Sequence, residues 1–147
     1  DTLLGMRAEE PDWNKDNINI YERPQVGHQY VCTVDVAKGR GIDYSTFTIF
    51  DVSQTPFKQV ATYRDSFISP MLFPDVINKY VSPYNKPIVI IENNAEGGIV
   101  ATQLHYDIEY DNVFVQGLTK AEDIGVTMNK KTKVQANGGH QISAALN

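Results

Sequence analysis

Along this chain the apolar residues recur first with the period of a strand and then with the period of a helix. Gln29 to Val36 (QYVCTVDV) is a compact run rich in β-branched and aromatic residues, which predicts a strand. Gly39, Arg40 and Gly41 mark a turn after it. Tyr44 to Val52 then sets Phe47 and Ile49 against Thr46 and Thr48, the alternation of a second strand. A Ser-Gln-Thr-Pro turn leads into a third strand over 57–67. Connections this short make an antiparallel meander the economical topology.

The period changes after Ser69. Leu72, Phe73, Val76, Ile77, Tyr80 and Val81 fall on one helical face, with Pro74 suited to a first turn, so a helix is expected near 71–82. Pro83 and Pro87 bracket its end, and Ile88 to Glu92 (IVIIE) reads as a strand buried on both faces. Gly97-Gly98 opens a second predicted helix, near 97–107, and Val113 to Val115 predicts a fifth strand. A short helix over 141–146 completes the pattern. Right-handed crossovers would set the fourth strand beside the first, giving a mixed α/β sheet in the order 3-2-1-4-5. Residues 1–27 lack such periodicity apart from Ile18 to Tyr21 and read as a linker or an arm packing on a neighbour, with Trp13 and Tyr21 as its anchors.

Composition adds limits. With 41% hydrophobic and 21% charged residues the chain is an ordinary globular domain, and no apolar run approaches membrane-spanning length. The single cysteine, Cys32, rules out an internal disulfide framework and a cysteine-based zinc site; in its apolar run it reads as a buried, inert thiol, and an intracellular setting is permitted. The net charge of −5 argues against broad coating of nucleic acid. It leaves room for a nuclease, whose acids hold the cations that offset phosphate repulsion. After Asp123 there is no acid at all, while Lys130, Lys131 and Lys133 cluster, as backbone-phosphate contacts or as a solvated face. The chain opens on Asp1, which suggests a piece of something longer.

Two acids interrupt apolar strands: Asp35 in the first and Glu92 in the fourth. A carboxylate in such a place is costly unless paired, hydrogen-bonded or bound to a metal. If the two strands are neighbours, both acids reach one crevice at the strand ends, where ligands commonly sit in open α/β sheets. A divalent cation is the usual means of keeping two adjacent carboxylates ionised, and hard oxygen donors favour magnesium or manganese. A turn cap for Asp35 and an ion pair for Glu92 are the simpler roles. Asp43, beyond the glycine turn, folds back to the same crevice or serves only the turn; Asn93 and Asn94 bind a phosphate or make the bend. His28, His105 and His140 are too scattered to form a ligand set.

The segments YVCTVDVAKGRGIDYSTFTIFDV (30–52), VIIENNAEGG (89–98), YDIEYDNVFV (106–115) and GVTMNKKTK (125–133) together resemble the nuclease half of large terminase subunits from contractile-tailed phages, especially those infecting cyanobacteria. The resemblance covers about 1–133. It implies an RNase H-like fold and a two-metal-ion endonuclease that cuts concatemeric DNA during viral packaging. Asp35 and Glu92 match its first- and fourth-strand metal ligands and catalytic acids, and Asp43, at a further acidic position of the first motif, is expected to join them at the metal. Lys130, Lys131 and Lys133 would contact DNA.

It further implies double-stranded DNA, the phage portal, the small terminase subunit and an ATPase domain of the same polypeptide as partners. The setting would be the host cytoplasm during infection. The chain departs from the pattern in two ways: the family's third metal-binding aspartate has no counterpart after the lysines, and 134–147 is a divergent tail. The domain at 28–133 is thus expected to be C-terminally incomplete and the chain alone to cut DNA poorly. No GxxxxGK[ST] loop is present. A catalytically incompetent DNA-binding or portal-docking fragment is the alternative. An actin-like ATPase fits less well, because Val36-Ala37-Lys38 is not the glycine-threonine hairpin that such domains carry after the first-strand aspartate.

Overall fold

The computed structural model describes residues 9–93 and 95–117. The β-branched and aromatic runs form strands: β1 (Trp13–Lys15), β2 (Ile18–Ile20), β3 (Tyr30–Asp35), β4 (Ser45–Asp51), β5 (Lys58–Asp65), β6 (Ile88–Asn93) and β7 (Val113–Gly117). They make one sheet in the order β1-β2-β5-β4-β3-β6-β7. The meander β3-β4-β5 is antiparallel, and β6 and β7 add in parallel. The five expected strands therefore take the expected order.

The sheet has seven strands because the expected arm supplies two. Asp16 and Asn17 both take positive φ, the geometry of a tight hairpin turn, and β2 pairs antiparallel with β5. A bulge on β5 helps to seat the segment: Ile49 pairs with Ala61 but Phe50 with Gln59. The extra residue, Val60, turns its carbonyl to the amides of Tyr21 and Glu22 at 2.8 and 3.2 Å. Ile18 and Ile20 anchor the hairpin by burial. Trp13, expected as an anchor, lies at the sheet edge and is 41% exposed beneath the Arg23 guanidinium, and Tyr21 is only partly buried. A two-residue apolar alternation is too short to distinguish a hairpin from a linker by periodicity.

The helices are α1 (Phe73–Val81) and α2 (Ala95–Thr102), the latter running into a wide π turn over Gln103–Asp107. In α1, Phe73, Ile77 and Val81 recur every four residues and are buried. Phe73 closes an aromatic stack with Tyr63 and Phe47 at centroid distances of 5.7 and 6.4 Å. Asp75 in the first turn and Lys79 in the last suit the helix dipole. The second helix begins earlier than Gly97, and its π turn follows Thr102, whose hydroxyl donates back to the Gly98 carbonyl and competes with regular helical bonding. Tyr110 ends this crossover by donating its hydroxyl to the Pro87 carbonyl at 2.6 Å, just before β6.

Both helices cover one sheet face, where Cys32, Val34, Phe47, Ile49, Val89 and Ile91 join them in a single apolar core. Cys32 is fully buried and burial pushes its thiol pKa up, in keeping with an inert residue. On β3 the alternation places Val31, Thr33 and Asp35 on the second face. Among the described residues no helix joins the core from that side.

Candidate active site

Asp35 ends β3 and Glu92 lies near the end of β6. The parallel register runs Val31 to Ile88, Cys32 to Val89, Thr33 to Ile90 and Val34 to Ile91, so one more step sets Asp35 level with Glu92. Neighbours in register share a face, and strands lie about 4.8 Å apart. Both carboxylates thus occur on the second face of adjacent strands, and both are exposed. On the other side of Asp35, in antiparallel register, stands Thr46 of β4. The exposure has a local cause: Val34 and Ile91 point into the core, which turns the next residue of each strand outward.

Asp35 also lines an open cleft of about 650 Å³ together with Lys38, Arg40, Asp43, Tyr44 and Glu96. Its wall is the loop between β3 and β4, which is fastened at both ends. Buried Ser45 accepts from the Ala37 amide at 2.9 Å and donates to its carbonyl at 3.5 Å. Farther along, the Gly41 amide donates to the Ser66 carbonyl at 2.8 Å. Gly39 has φ of 76°, and a Cβ there would stand 2.5 Å from the Ile68 carbonyl oxygen, so only glycine fits against that backbone. The glycine turn is thus a docked wall that carries Asp43 into the cleft.

Glu92 stands beside the cleft and does not line it; Glu96 does. Glu96 was missed because the sequence points to a helix opening at Gly97-Gly98, whereas α2 begins at Ala95 and puts Glu96 in its first turn, where an acid is favoured. Among the described residues no three histidine, cysteine, aspartate or glutamate side chains are gathered closely enough to hold one ion. The candidate site therefore consists of one pair, Asp35 and Glu92, set by strand register, and of Asp43 and Glu96, which share the cleft lining with Asp35. Lys130, Lys131 and Lys133 lie outside the described residues, as do Asn94, the 134–147 tail and the helix expected at 141–146.

His28 is far from these acids. It belongs to the opposite end of the sheet, where its Nδ1 lies 2.6 Å from buried Asp51. Burial pushes the Asp51 carboxyl up, but the His28 contact and the Ser53 amide and hydroxyl outweigh it and hold the group below its ordinary value. This pair closes the base of β3 and β4 and takes no part in the cleft.

No protein-family model matches the sequence. The fold does match solved structures. The large terminase nuclease from thermophilic phage G20c with bound cobalt superposes with a TM-score of 0.61 at 14% identity, covering 91% of this chain and 64% of that one. The same nuclease with bound magnesium gives 0.60 at 14% identity, over 91% and 65%. The large terminase nuclease domain of Thermus phage P74-26 gives 0.58 at 18% identity, over 76% and 54%. The chain therefore has the RNase H-like fold of large terminase nuclease domains, and it spans less than two thirds of the length of these three.

Proposed function

We propose that this chain is the nuclease portion of a DNA-packaging terminase, a metal-dependent endonuclease that cuts concatemeric viral DNA. The observation that carries the reading is the level placement of Asp35 and Glu92 on the exposed face of adjacent parallel strands. Two exposed carboxylates at this spacing repel each other and contribute nothing to the core, so their joint placement is explained by a shared cation. Their donor set fits one: hard oxygens, open to solvent, suited to magnesium or manganese. A bound divalent ion would supply Lewis acidity, activating water and offsetting the charge of a phosphodiester.

The chain's own groups do the rest. Asp35 and Glu92 would hold the ion, and Asp43 and Glu96 in the cleft would accept hydrogen bonds from water and orient it. The docked loop keeps Asp35 and Asp43 in one wall, so neither is free to leave when substrate arrives. Double-stranded DNA is the proposed substrate, with Lys130, Lys131 and Lys133 as further phosphate contacts. Work at the portal with the small subunit and an ATPase domain, in the host cytoplasm, belongs to the same proposal.

Titration calorimetry with manganese tests it on wild type, Asp35→Asn and Glu92→Gln. Each substitution is expected to weaken binding at least tenfold, and the weak manganese-dependent plasmid nicking expected of this chain should be lost with it. Equal affinity in all three proteins would refute the metal site. Intact affinity for DNA without nicking by any of them would favour a DNA-holding module instead.

A further inference from the structure

A carboxylate site that handles DNA needs a positive group to receive the flanking phosphates, and Arg64 is placed for this. It pairs with Thr46 across β5 and β4, and Thr46 pairs with Asp35 across β4 and β3. Arg64, Thr46 and Asp35 thus form one row over three neighbouring strands on the second face, continued by Glu92 on β6. At about 4.8 Å per strand, the Arg64 backbone stands roughly 10 Å from that of Asp35. A long side chain covers most of that span.

The state of the guanidinium matters more than its distance. Its carbon lies 3.6 Å from the centre of the Tyr44 ring, and Tyr44 is itself a wall of the Asp35 cleft. Stacking holds the guanidinium by its flat face and leaves its N–H edge available, the arrangement that suits a bidentate phosphate. Among the described residues the ion pairs are Arg23–Asp12, Lys58–Glu22 and His28–Asp51, and none involves Arg64. Lys38 and Arg40, both exposed, add positive charge to the cleft wall.

We infer that Arg64, oriented by Tyr44, binds a DNA backbone phosphate next to the bond that faces Asp35 and Glu92. Arg64 is the binding residue and Tyr44 a positioning residue. The inference rests on the nuclease reading for the purpose of the site, but the contact itself requires no metal.

Fluorescence anisotropy with a short labelled DNA duplex, in EDTA and over a range of salt, measures it directly. Arg64→Gln should weaken binding about five- to tenfold and flatten the salt dependence by close to one released counterion. Arg64→Lys should fall between, because it keeps the charge and loses the fork. Tyr44→Phe should bind as wild type does, whereas Tyr44→Leu should approach Arg64→Gln. Lys79→Gln removes one charge from α1, on the opposite side of the sheet, and should change affinity less than about twofold.

If Arg64→Gln and Lys79→Gln have equal effects, or wild type fails to bind the duplex, the inference is overturned. Wild-type behaviour of Tyr44→Leu overturns the positioning role. Manganese affinity separates this from the parent reading. Arg64→Gln should bind manganese normally; an Arg64-dependent DNA affinity with no effect of Asp35→Asn on manganese would sink the nuclease reading and keep the contact.

Discussion

Replacing Gly39 by alanine should cost much more stability than the same change at Gly27, and the difference isolates the docking of the cleft loop. The two glycines share nearly the same backbone conformation, with φ of 76° and 82°. Each substitution therefore carries a similar conformational cost of about 1–2 kcal/mol, partly offset by a stiffer unfolded chain. Only the surroundings differ. A Cβ at Gly27 meets nothing within 4 Å, whereas at Gly39 it meets the Ile68 carbonyl oxygen at 2.5 Å and its carbon at 3.0 Å.

A carbonyl of the backbone cannot swing aside, so the loop must lift from 66–68. The Gly41 amide would then lose its 2.8 Å bond to Ser66. A hydrogen bond is worth about 1 kcal/mol, and lost packing adds a comparable amount, so Gly39→Ala should lie roughly 2 kcal/mol below Gly27→Ala. For a chain of this size that is about 4–8 °C in melting temperature. Circular-dichroism melts read the stability, and manganese titration reads the site, which should weaken in Gly39→Ala and stay unchanged in Gly27→Ala. Equal melting temperatures for the two variants would refute the docked wall.

Three further outcomes follow from the same contacts. Asp51 has a depressed pKa in the fold, so the unfolded chain binds its proton more readily; its contribution is complete above the ordinary carboxylate range near 4 and is lost as pH falls through the folded value. Urea midpoints of wild type and Asp51→Asn should differ at pH 7 and draw together as pH falls below the ordinary carboxylate range, and a gap independent of pH would contradict this. Cys32 should resist a thiol reagent in the native protein and react at least about a hundredfold faster in denaturant, given its burial and raised pKa. Tyr110→Phe should lower stability by about 1–3 kcal/mol in denaturant titration, because it strands the Pro87 carbonyl that the hydroxyl meets at 2.6 Å.

The strand order was legible because long, strongly patterned segments carried it: the alternation of Phe47 and Ile49 and the apolar run 88–91 leave few ways to stack. The pairing of Asp35 with Glu92 followed from that order alone. What escaped was local. The 13–20 hairpin depends on two turn residues with positive φ and on a bulge at Val60, neither of which has a hydrophobic period. Glu96 escaped because glycines look like a helix start when a preceding Ala-Glu pair extends the helix backwards. Arg64 escaped because a lone exposed cation in a strand has no sequence signature; its partner Tyr44 lies on another strand's approach.

The register that aligns Asp35 with Glu92 also governs when the proposed site would come into being. The two acids are separated in the chain by β4, β5 and α1, and they meet only when the crossover closes β6 onto β3. An early meander would hold Asp35, Asp43, Tyr44 and Arg64 without Glu92, and would bind an ion weakly at best. Closing so long a connection carries an entropy cost that pairing repays only once β6 docks, and topologies rich in such contacts fold slowly. Ion binding would therefore draw on the fully closed sheet alone and stabilise it in proportion to ligand concentration. A pulse of manganese during refolding should speed nothing early and lock in only the last, sheet-closing phase.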